Sequence, residues 1–183
     1  KTALVTGASQ GIGRAIAKGL AAEGVKVCLS ARRREMLEEV ADDIVKDGGE
    51  QPEIVTADLM QKAEPARLAG ETIRRLGRID ILVNSAGGSR RINWMEAADD
   101  DWLDIMTFNY TQIRRLTMAV VPGMIEHKWG RIINITGKAE PAVGLRDDDA
   151  QEALLADELP RFRGQVHAVV GDVPLVEHAA ELL

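Results

Sequence analysis

The chain has few of the residues that crosslink, stack or anchor a protein. It contains one cysteine, Cys28, and one tyrosine, Tyr110, and aromatic residues make up only 3% of its 183 residues. A single cysteine excludes an internal disulfide, and Cys28 lies in the apolar run VKVCLSA, so we expect a buried thiol in a reducing, cytoplasmic compartment. No apolar run approaches the roughly 20 residues that a membrane-spanning helix needs, so we expect no membrane partner.

A concentrated basic surface is also missing. The formal net charge is −6, and acidic and basic residues are interleaved along the chain. Because phosphate backbones bind to a dense basic face, this balance predicts no nucleic-acid partner. The first residues, KTALVT, are typical of a strand and not of a signal peptide. The one basic cluster is the arginine run 32–34.

Short apolar runs rich in β-branched residues alternate with longer segments of helical period. This alternation predicts one α/β domain over residues 1–183, a doubly wound parallel sheet in a three-layer αβα arrangement. The predicted strands are 3–6, 25–30, 53–58, 79–87 and 130–137. The predicted helices between them are 11–23, 33–46, 66–76 and 99–126. After residue 137 the pattern changes to a polar loop, a helix at 152–162, a strand at 165–173 and a helix at 174–183.

The stretch TGASQGIG, Thr6–Gly13, joins the first strand to the first helix and has three glycines in eight positions. Glycines let a backbone approach a ligand closely, and the start of a helix offers unpaired N–H groups to a phosphate. Glycines at turns are also purely structural in many proteins. The strand before this turn and the helix after it favour a phosphate-containing ligand.

Five features, in this order, resemble the short-chain dehydrogenase/reductase family. They are the T-G-x-x-x-G-x-G loop at 6–13, an acidic residue after the third strand, an N-N-A-G-like turn, an asparagine in the long fourth helix, and a fifth strand that reads I-N-I-T-G. The resemblance covers residues 1–137 and leaves 138–183 as an atypical tail. It implies a Rossmann-like fold, membership of a homo-oligomer, and hydride transfer between a nicotinamide and a carbonyl or alcohol substrate.

The resemblance also implies a set of cofactor-binding residues and no metal site. From the glycine loop they are Thr6, Gly7, Ser9, Gln10, Gly11, Ile12 and Gly13. From the ends of the next strands they are Arg32, Arg33, Asp58, Leu59, Asn84, Ser85, Ala86 and Gly87.

The end of the second strand bears on which nicotinamide cofactor is bound. An acidic residue there binds a free ribose 2′-hydroxyl, whereas an arginine accommodates a 2′-phosphate. This chain has Ala31 followed by Arg32, which favours NADP, with Arg32 as the main contact and Arg14 as a second one. A solvated helix start is the alternative explanation of the arginine run. Three cations there oppose the helix dipole, so an anionic ligand explains the run better.

Two candidate catalytic residues follow from the resemblance. Asn109 matches the family's helix asparagine. The family's serine position aligns with Gly137, which leaves the hydroxyl of Thr136 as the nearest substitute, and Lys138 lies beside it.

The family's catalytic tyrosine and lysine have no counterpart in the chain. A phenol that exchanges a proton near neutrality needs a nearby ammonium to lower its pKa, and the family places the two four residues apart. Counted from the serine position, they fall at Ala150 and Leu154. The only tyrosine, Tyr110, lies on a different helix, where we expect a packing or interface role. Three hypotheses therefore stay open: an active NADP-dependent oxidoreductase, an inactive NADP-binding module, and an incomplete or rearranged reductase.

The tail has a weak internal match. Residues 152–172 align with residues 38–58 at a constant offset of 114, with five identities in 21 positions. One explanation is a helix–strand–helix piece from a second copy of the fold. The other is the general likeness of all βα units.

Overall fold

A six-stranded sheet forms the centre of the molecule. The computed structural model describes residues 1–88 and 95–136, together with the backbone of 167–172. The strand order is β3-β2-β1-β4-β5-β6, and β1 to β5 are parallel. The strands are β1 Thr2–Thr6, β2 Lys26–Ser30, β3 Glu53–Ile54, β4 Ile81–Asn84, β5 Arg131–Thr136 and β6 His167–Asp172. This arrangement confirms the predicted α/β class and its doubly wound parallel sheet.

Helices cover both faces of the sheet. They are α1 Gly11–Ala22, α2 Arg34–Lys46, α3 Glu64–Leu76, α4 Asp99–Met106 and α5 Gln112–Glu126. The first two pack on one face of the sheet, and α3 and α5 pack on the other. Within the described ranges, none of these helices is long and apolar enough to span a membrane.

Neighbouring residues of each central strand serve opposite faces of the sheet. Leu4 and Leu82 pack with α3 and α5, whereas Val5 and Val83 pack with α1 and α2, and all four are fully buried. The predicted core residue Cys28 is also fully buried. Because each such side chain contributes about 1.5–3 kcal/mol when buried, this alternation holds the sheet rigidly between its helices.

Two predicted elements differ in extent from the observed ones. The third strand was expected over 53–58 and is regular only at Glu53–Ile54, yet the N–H groups of Val55 and Ala57 still donate to carbonyls of the second strand's edge at 3.0 and 3.1 Å. The expected continuous helix over 99–126 is divided by a π-helical turn at Thr107–Thr111. Tertiary hydrogen bonds described below account for this turn.

The sixth strand departs from the parallel pattern. It runs antiparallel to β5, with Thr136 opposite His167 and Arg131 opposite Asp172. The predicted strand at 165–173 is therefore present, in the opposite direction to its neighbours. An antiparallel partner can begin at the end where β5 finishes, without a crossover along the sheet. The predicted helices at 152–162 and 174–183 lie outside the described residues.

Candidate functional site

The candidate site lies at the carboxyl ends of the parallel strands. From β1 the chain proceeds to β2 and β3 on one side, and later to β4 and β5 on the other. Ligands of doubly wound folds bind where this order reverses, in the crevice outside the strand ends. Thr6, Asn84 and Thr136 end three of these strands, so the sheet brings the predicted residues to one edge.

The glycine turn after β1 has a conformation and a packing that only glycine allows. Gly7 and Gly11 have φ angles of 65° and 55°, in the left-handed region. A Cβ on Gly7 would lie 2.8 Å from the Ser85 carbonyl oxygen and 2.9 Å from the Ala86 nitrogen. A Cβ on Gly13 would strike the Gly7 carbonyl and would lie 3.1 Å from the Ser85 hydroxyl oxygen. The turn therefore packs backbone to backbone against the segment that follows β4.

The start of α1 leaves donors available beside this turn. Gln10 is the N-cap residue, and its side chain makes no capping hydrogen bond. The first N–H groups of the helix thus keep the positive end of the dipole open to an anion. Ser9 is half-buried, and Ile12, in the first turn of α1, exposes 43% of its surface.

Thr6 links the glycine turn to the turn after β4. Its side chain is buried, and its hydroxyl donates to the Val83 carbonyl at 3.2 Å. The same oxygen accepts the N–H groups of Ser85 and Ala86, each at 3.1 Å. One hydroxyl therefore fixes the beginning of the Asn84–Gly87 turn relative to β1.

Asn109 holds the other end of that turn. Its Nδ2 donates to the Gly88 carbonyl at 2.9 Å and to the Ile105 carbonyl at 3.0 Å, and its Oδ1 accepts the Gly88 N–H at 2.9 Å. A Cβ on Gly87 would lie 2.9 Å from this Oδ1. The predicted catalytic asparagine thus contacts the backbone of the predicted cofactor turn directly.

Gln112 is a residue of this site that sequence reasoning missed. It is 1% exposed, and its Nε2 donates to the Ala86 carbonyl at 2.7 Å and to the Phe108 carbonyl at 2.9 Å. The available signal was its position: Gln112 begins the buried stripe of α5 that continues with Leu116 and Val120. A polar residue on an apolar stripe indicates a buried hydrogen bond.

A second cleft lies at the ends of β2 and β3. Its volume is about 530 Å³, within the range of small-molecule sites, and it is lined by Arg32, Thr56, Ala57, Asp58, Glu64 and Arg67. The side chain of Asp58 accepts the Met60 N–H at 3.2 Å, which orders the loop after β3. The Leu59 side chain is buried in the core, beside Ala57 and Leu68.

The two guanidinium groups of this cleft have different partners. Arg67 binds both carboxylate oxygens of Glu64, at 2.6 and 2.7 Å, and the Thr56 carbonyl at 2.6 Å. The hydrogen bond from Arg67 lowers the pKa of Glu64, and the same bond raises the pKa of Arg67. Arg32 makes no hydrogen bond or ion pair within the part of the chain that the structure describes, so its charge is available to an anion.

Two other arginines, Arg14 and Arg34, are held in ion pairs, whereas Arg33 is exposed. Arg14, predicted as a second phosphate contact, is ion-paired with Asp43 of α2 at 2.5 Å. Arg34 pairs with Glu38 at 2.8 Å, one turn further along α2. Arg33 is the exposed N-cap residue of α2.

The residues predicted from the family's catalytic positions are exposed or lie outside the described residues. Thr136 is the exposed last residue of β5, and Tyr110 is 58% exposed on the π turn. Gly137, Lys138, Ala150 and Leu154 lie outside the described residues.

Comparison with known proteins establishes the family. The profile of the family described as "short chain dehydrogenase" matches residues 1–147. The chain belongs to the short chain dehydrogenase family. This match confirms the family that the five sequence features indicate.

Individual members of the short chain dehydrogenase family are similar in sequence and in fold. The chain is 39% identical over 140 residues to a 3-oxoacyl-(acyl-carrier-protein) reductase of Synechocystis sp., a match that covers 76% of this chain and 56% of the relative. It is 41% identical over 138 residues to a granaticin polyketide synthase putative ketoacyl reductase of Streptomyces violaceoruber, covering 73% and 49%. Among solved structures, a metagenomic short-chain oxidoreductase in complex with NADP gives a TM-score of 0.72 at 38% identity, covering 76% of this chain and 63% of that chain. An NADP-bound 3-oxoacyl (acyl-carrier-protein) reductase from Agrobacterium tumefaciens gives 0.68 at 30% identity, covering 73% and 51%.

These matches cover only part of each relative. The chain spans about half the length of the curated relatives that it matches.

Proposed function

We propose that the chain binds NADP(H) as part of an oxidoreductase. This enzyme would transfer a hydride between the nicotinamide and a carbonyl or alcohol substrate. The observation that carries this proposal is the packing of the glycine turn on the Ser85–Ala86 backbone beside the open start of α1. This arrangement offers backbone N–H groups to a pyrophosphate. Two family members of similar fold are described as NADP complexes.

Arg32 supports NADP as the cofactor. It lies at the end of β2, in the cleft that also contains Asp58, and it has no ion-pair partner within the described residues. A guanidinium forms charge-assisted, two-pronged hydrogen bonds to a phosphate. We propose that Arg32, with Arg33 beside it, binds the 2′-phosphate, while Asp58 and the Leu59 backbone bind the adenine.

For the chemical step we propose two residues. Asn109 holds the turn over which the nicotinamide would lie, and the Thr136 hydroxyl at the end of β5 would bind the substrate oxygen. The bound nicotinamide would supply the hydride. A carbonyl that accepts a hydride also needs a proton from an acidic group. The positions matched to the family's tyrosine and lysine are Ala150 and Leu154, whose side chains have no acidic proton. The proposal for the reaction therefore applies to the whole enzyme and is tested separately from cofactor binding.

Cofactor selectivity can be tested with one variant and one matched control. Arg32→Ala removes the proposed phosphate contact, and Arg34→Ala removes an arginine that is already paired with Glu38. Loss of one charge-assisted contact of about 1.5–3 kcal/mol weakens binding by roughly 10- to 150-fold. Titration calorimetry should show this loss for NADPH with Arg32→Ala, little change for NADH, and near-wild-type affinities with Arg34→Ala. Equal losses for NADPH in both variants would argue against a 2′-phosphate contact at Arg32.

Turnover requires its own assay. The wild-type chain is mixed with NADPH and a panel of carbonyl substrates, and the loss of absorbance at the nicotinamide band is followed. An active oxidoreductase consumes NADPH faster than a variant with an obstructed glycine turn. Tight NADPH binding without turnover would instead identify an inactive NADP-binding module.

We further propose that the chain forms a homo-oligomer through the helix that contains the π turn. Leu103, Met106, Tyr110 and Met118 expose between 52% and 64% of their surface along α4, the π turn and α5. Large apolar side chains exposed along one helical stretch are typical of interfaces between subunits. Sedimentation velocity should give a mass above that of one chain, and a monomer at micromolar concentration would refute this proposal.

A further inference from the structure

The π turn leaves backbone carbonyls without their ordinary helical donors. The Gln112 N–H donates to the Thr107 carbonyl, five residues earlier, where an α-helix would use Phe108. The Phe108 carbonyl therefore loses its ordinary α-helical donor, and a partly buried carbonyl without a hydrogen bond costs free energy. The Gln112 side chain provides another donor, through Nε2 at 2.9 Å.

The same nitrogen reaches out of the helix. Its second hydrogen bond goes to the Ala86 carbonyl at 2.7 Å, 26 residues earlier in the chain. An amide nitrogen has two protons, so these two carbonyls use its whole donor capacity. With the amide reversed, the side-chain oxygen would face two carbonyl oxygens, and this repulsion fixes the orientation of the group.

The orientation leaves the amide oxygen unsatisfied. Gln112 Oε1 is buried and accepts no hydrogen bond within the described part of the chain. The side chain is thus placed for its donors and not for its acceptor. A residue selected only for core packing would not need a buried amide on the stripe occupied by Leu116 and Val120.

Ala86 is a sensitive point of the cofactor turn. Thr6 binds its N–H from the β1 side, and a Cβ on Gly7 would lie 2.9 Å from its nitrogen. Gln112 binds its carbonyl from the α5 side. The peptide groups around Ala86 are therefore held from both sides, and release of either side lets the turn shift against the glycine loop.

We propose that Gln112 is a positioning residue that joins the π turn to Ala86. It thereby fixes the position of the Asn84–Gly87 turn, on which the dinucleotide would lie. This inference rests on the proposed function for its effect on cofactor binding. Its structural part, the ordering of the Ala86 turn, can be measured without any cofactor.

The cofactor-free test compares amide hydrogen exchange in the wild type and in Gln112→Met. Methionine has a similar length and no donor, so both carbonyls lose their partner while the packing is retained. We expect faster exchange at Ser85–Gly88 and unchanged exchange in β2, at Lys26–Ser30. Unchanged exchange at Ser85–Gly88 would overturn the inference, whether or not the protein binds NADPH.

The cofactor-binding test uses Gln112→Glu, which keeps the shape but reverses the polarity of one atom. At pH 8 the carboxylate faces the Ala86 carbonyl, and we expect NADPH to bind about tenfold more weakly. Burial and the facing carbonyl oxygens should raise the pKa of this carboxyl, so at pH 5.5 its protonated form can donate again and the affinity should return toward that of the wild type at the same pH. Gln51→Glu, an exposed glutamine in the loop before β3, makes the same charge change away from the site.

The possible outcomes separate the two claims. Wild-type protein that binds no NADPH refutes the proposed function, and the exchange experiment then decides on Gln112 alone. If the wild type and Gln51→Glu bind NADPH and Gln112→Glu binds equally well at pH 8, the positioning role is wrong. Recovery of Gln112→Glu at low pH, without a parallel change in Gln51→Glu, supports it when circular dichroism shows the variant folded at both pH values, because the weaker binding at pH 8 is then not caused by unfolding.

Discussion

Two glycines of α1 should respond in opposite ways to the same substitution. Gly13 and Gly19 are both helical, and replacement of a helical glycine by alanine ordinarily stabilises a protein by about 0.4–1 kcal/mol. At Gly19 an added Cβ meets no atom of the described residues within 4 Å. At Gly13 it strikes the Gly7 carbonyl oxygen and lies 2.8 Å from the carbonyl carbon. The obstruction is backbone, which cannot move aside as the end of a flexible side chain can.

The expected magnitudes follow from these contacts. Overpacking costs about 1–3 kcal/mol, and a clash with backbone belongs to the upper part of this range, about 2–3 kcal/mol. The gain in helix propensity offsets up to about 1 kcal/mol of this cost, so Gly13→Ala should lose about 1–2 kcal/mol. For a chain of this length each kcal/mol shifts the melting temperature by about 2–4 °C. We therefore expect Gly13→Ala to melt about 2–8 °C below the wild type and Gly19→Ala to melt about 1–4 °C above it.

The assay is thermal unfolding followed by circular dichroism, together with NADPH titration of each variant. Displacement of the Gly7 carbonyl changes the loop that would bind the pyrophosphate, so Gly13→Ala should also bind NADPH at least about tenfold more weakly. Gly19→Ala should bind with wild-type affinity. Shifts of equal sign in the two variants, or unchanged NADPH binding by Gly13→Ala, would refute the account of the glycine turn.

Three further predictions concern single side chains. Hydrogen bonds from Arg74 and Arg75 lower the pKa of Glu71 from 4.5 to about 2, so the stabilisation by its carboxylate is present above pH 4.5 and is lost as the pH falls toward 2. In acid titrations of the free energy of unfolding, Glu71→Gln should reduce this loss. A curve identical to that of the wild type would contradict the prediction. Burial raises the pKa of the Cys28 thiol to about 11, so this thiol should react with a disulfide reagent at pH 8 only after the protein unfolds. Rapid reaction of the folded protein would show that the thiol is not buried. Asp80 is 3% exposed, and its carboxylate accepts the Thr2 N–H at 2.9 Å. Asp80→Ala should therefore lower the free energy of unfolding in urea by about 1–3 kcal/mol. A loss below about 0.5 kcal/mol, the size expected of a surface substitution, would contradict this role.

Much of the fold could be predicted because its signals are local. The alternation of β-branched runs with helical periods requires a parallel sheet covered on both faces, and the first five strands have this arrangement. The glycine loop could be recognised for a similar reason. The positive φ at Gly11 and the close packing at Gly7 and Gly13 restrict these positions to one residue type.

The features that could not be predicted depend on distant partners. The π turn is stabilised by side-chain amides that reach Ala86 and Gly88, more than 20 residues away. The ion pair of Arg14 with Asp43 joins two helices, and neither helical pattern alone indicates it. The direction of β6 depends on a pairing with β5 that the period of its own sequence does not encode.

The assignment of individual residues to catalysis stays a prediction. Asn109 is hydrogen-bonded to Gly88, and Thr136 is the exposed last residue of β5. The family's proton-transfer pair has no counterpart at Ala150 and Leu154.

We propose that the crevice at the carboxyl ends of the strands, from the glycine turn to Arg32, binds a nicotinamide dinucleotide with its 2′-phosphate on Arg32. Calorimetric titration of the full 183-residue chain with NADPH and, separately, with NADH tests it most directly. We expect one site per chain and an affinity for NADPH at least about tenfold higher than for NADH, since one charge-assisted phosphate contact distinguishes them. Equal affinities, or no heat of binding with either dinucleotide, would contradict it.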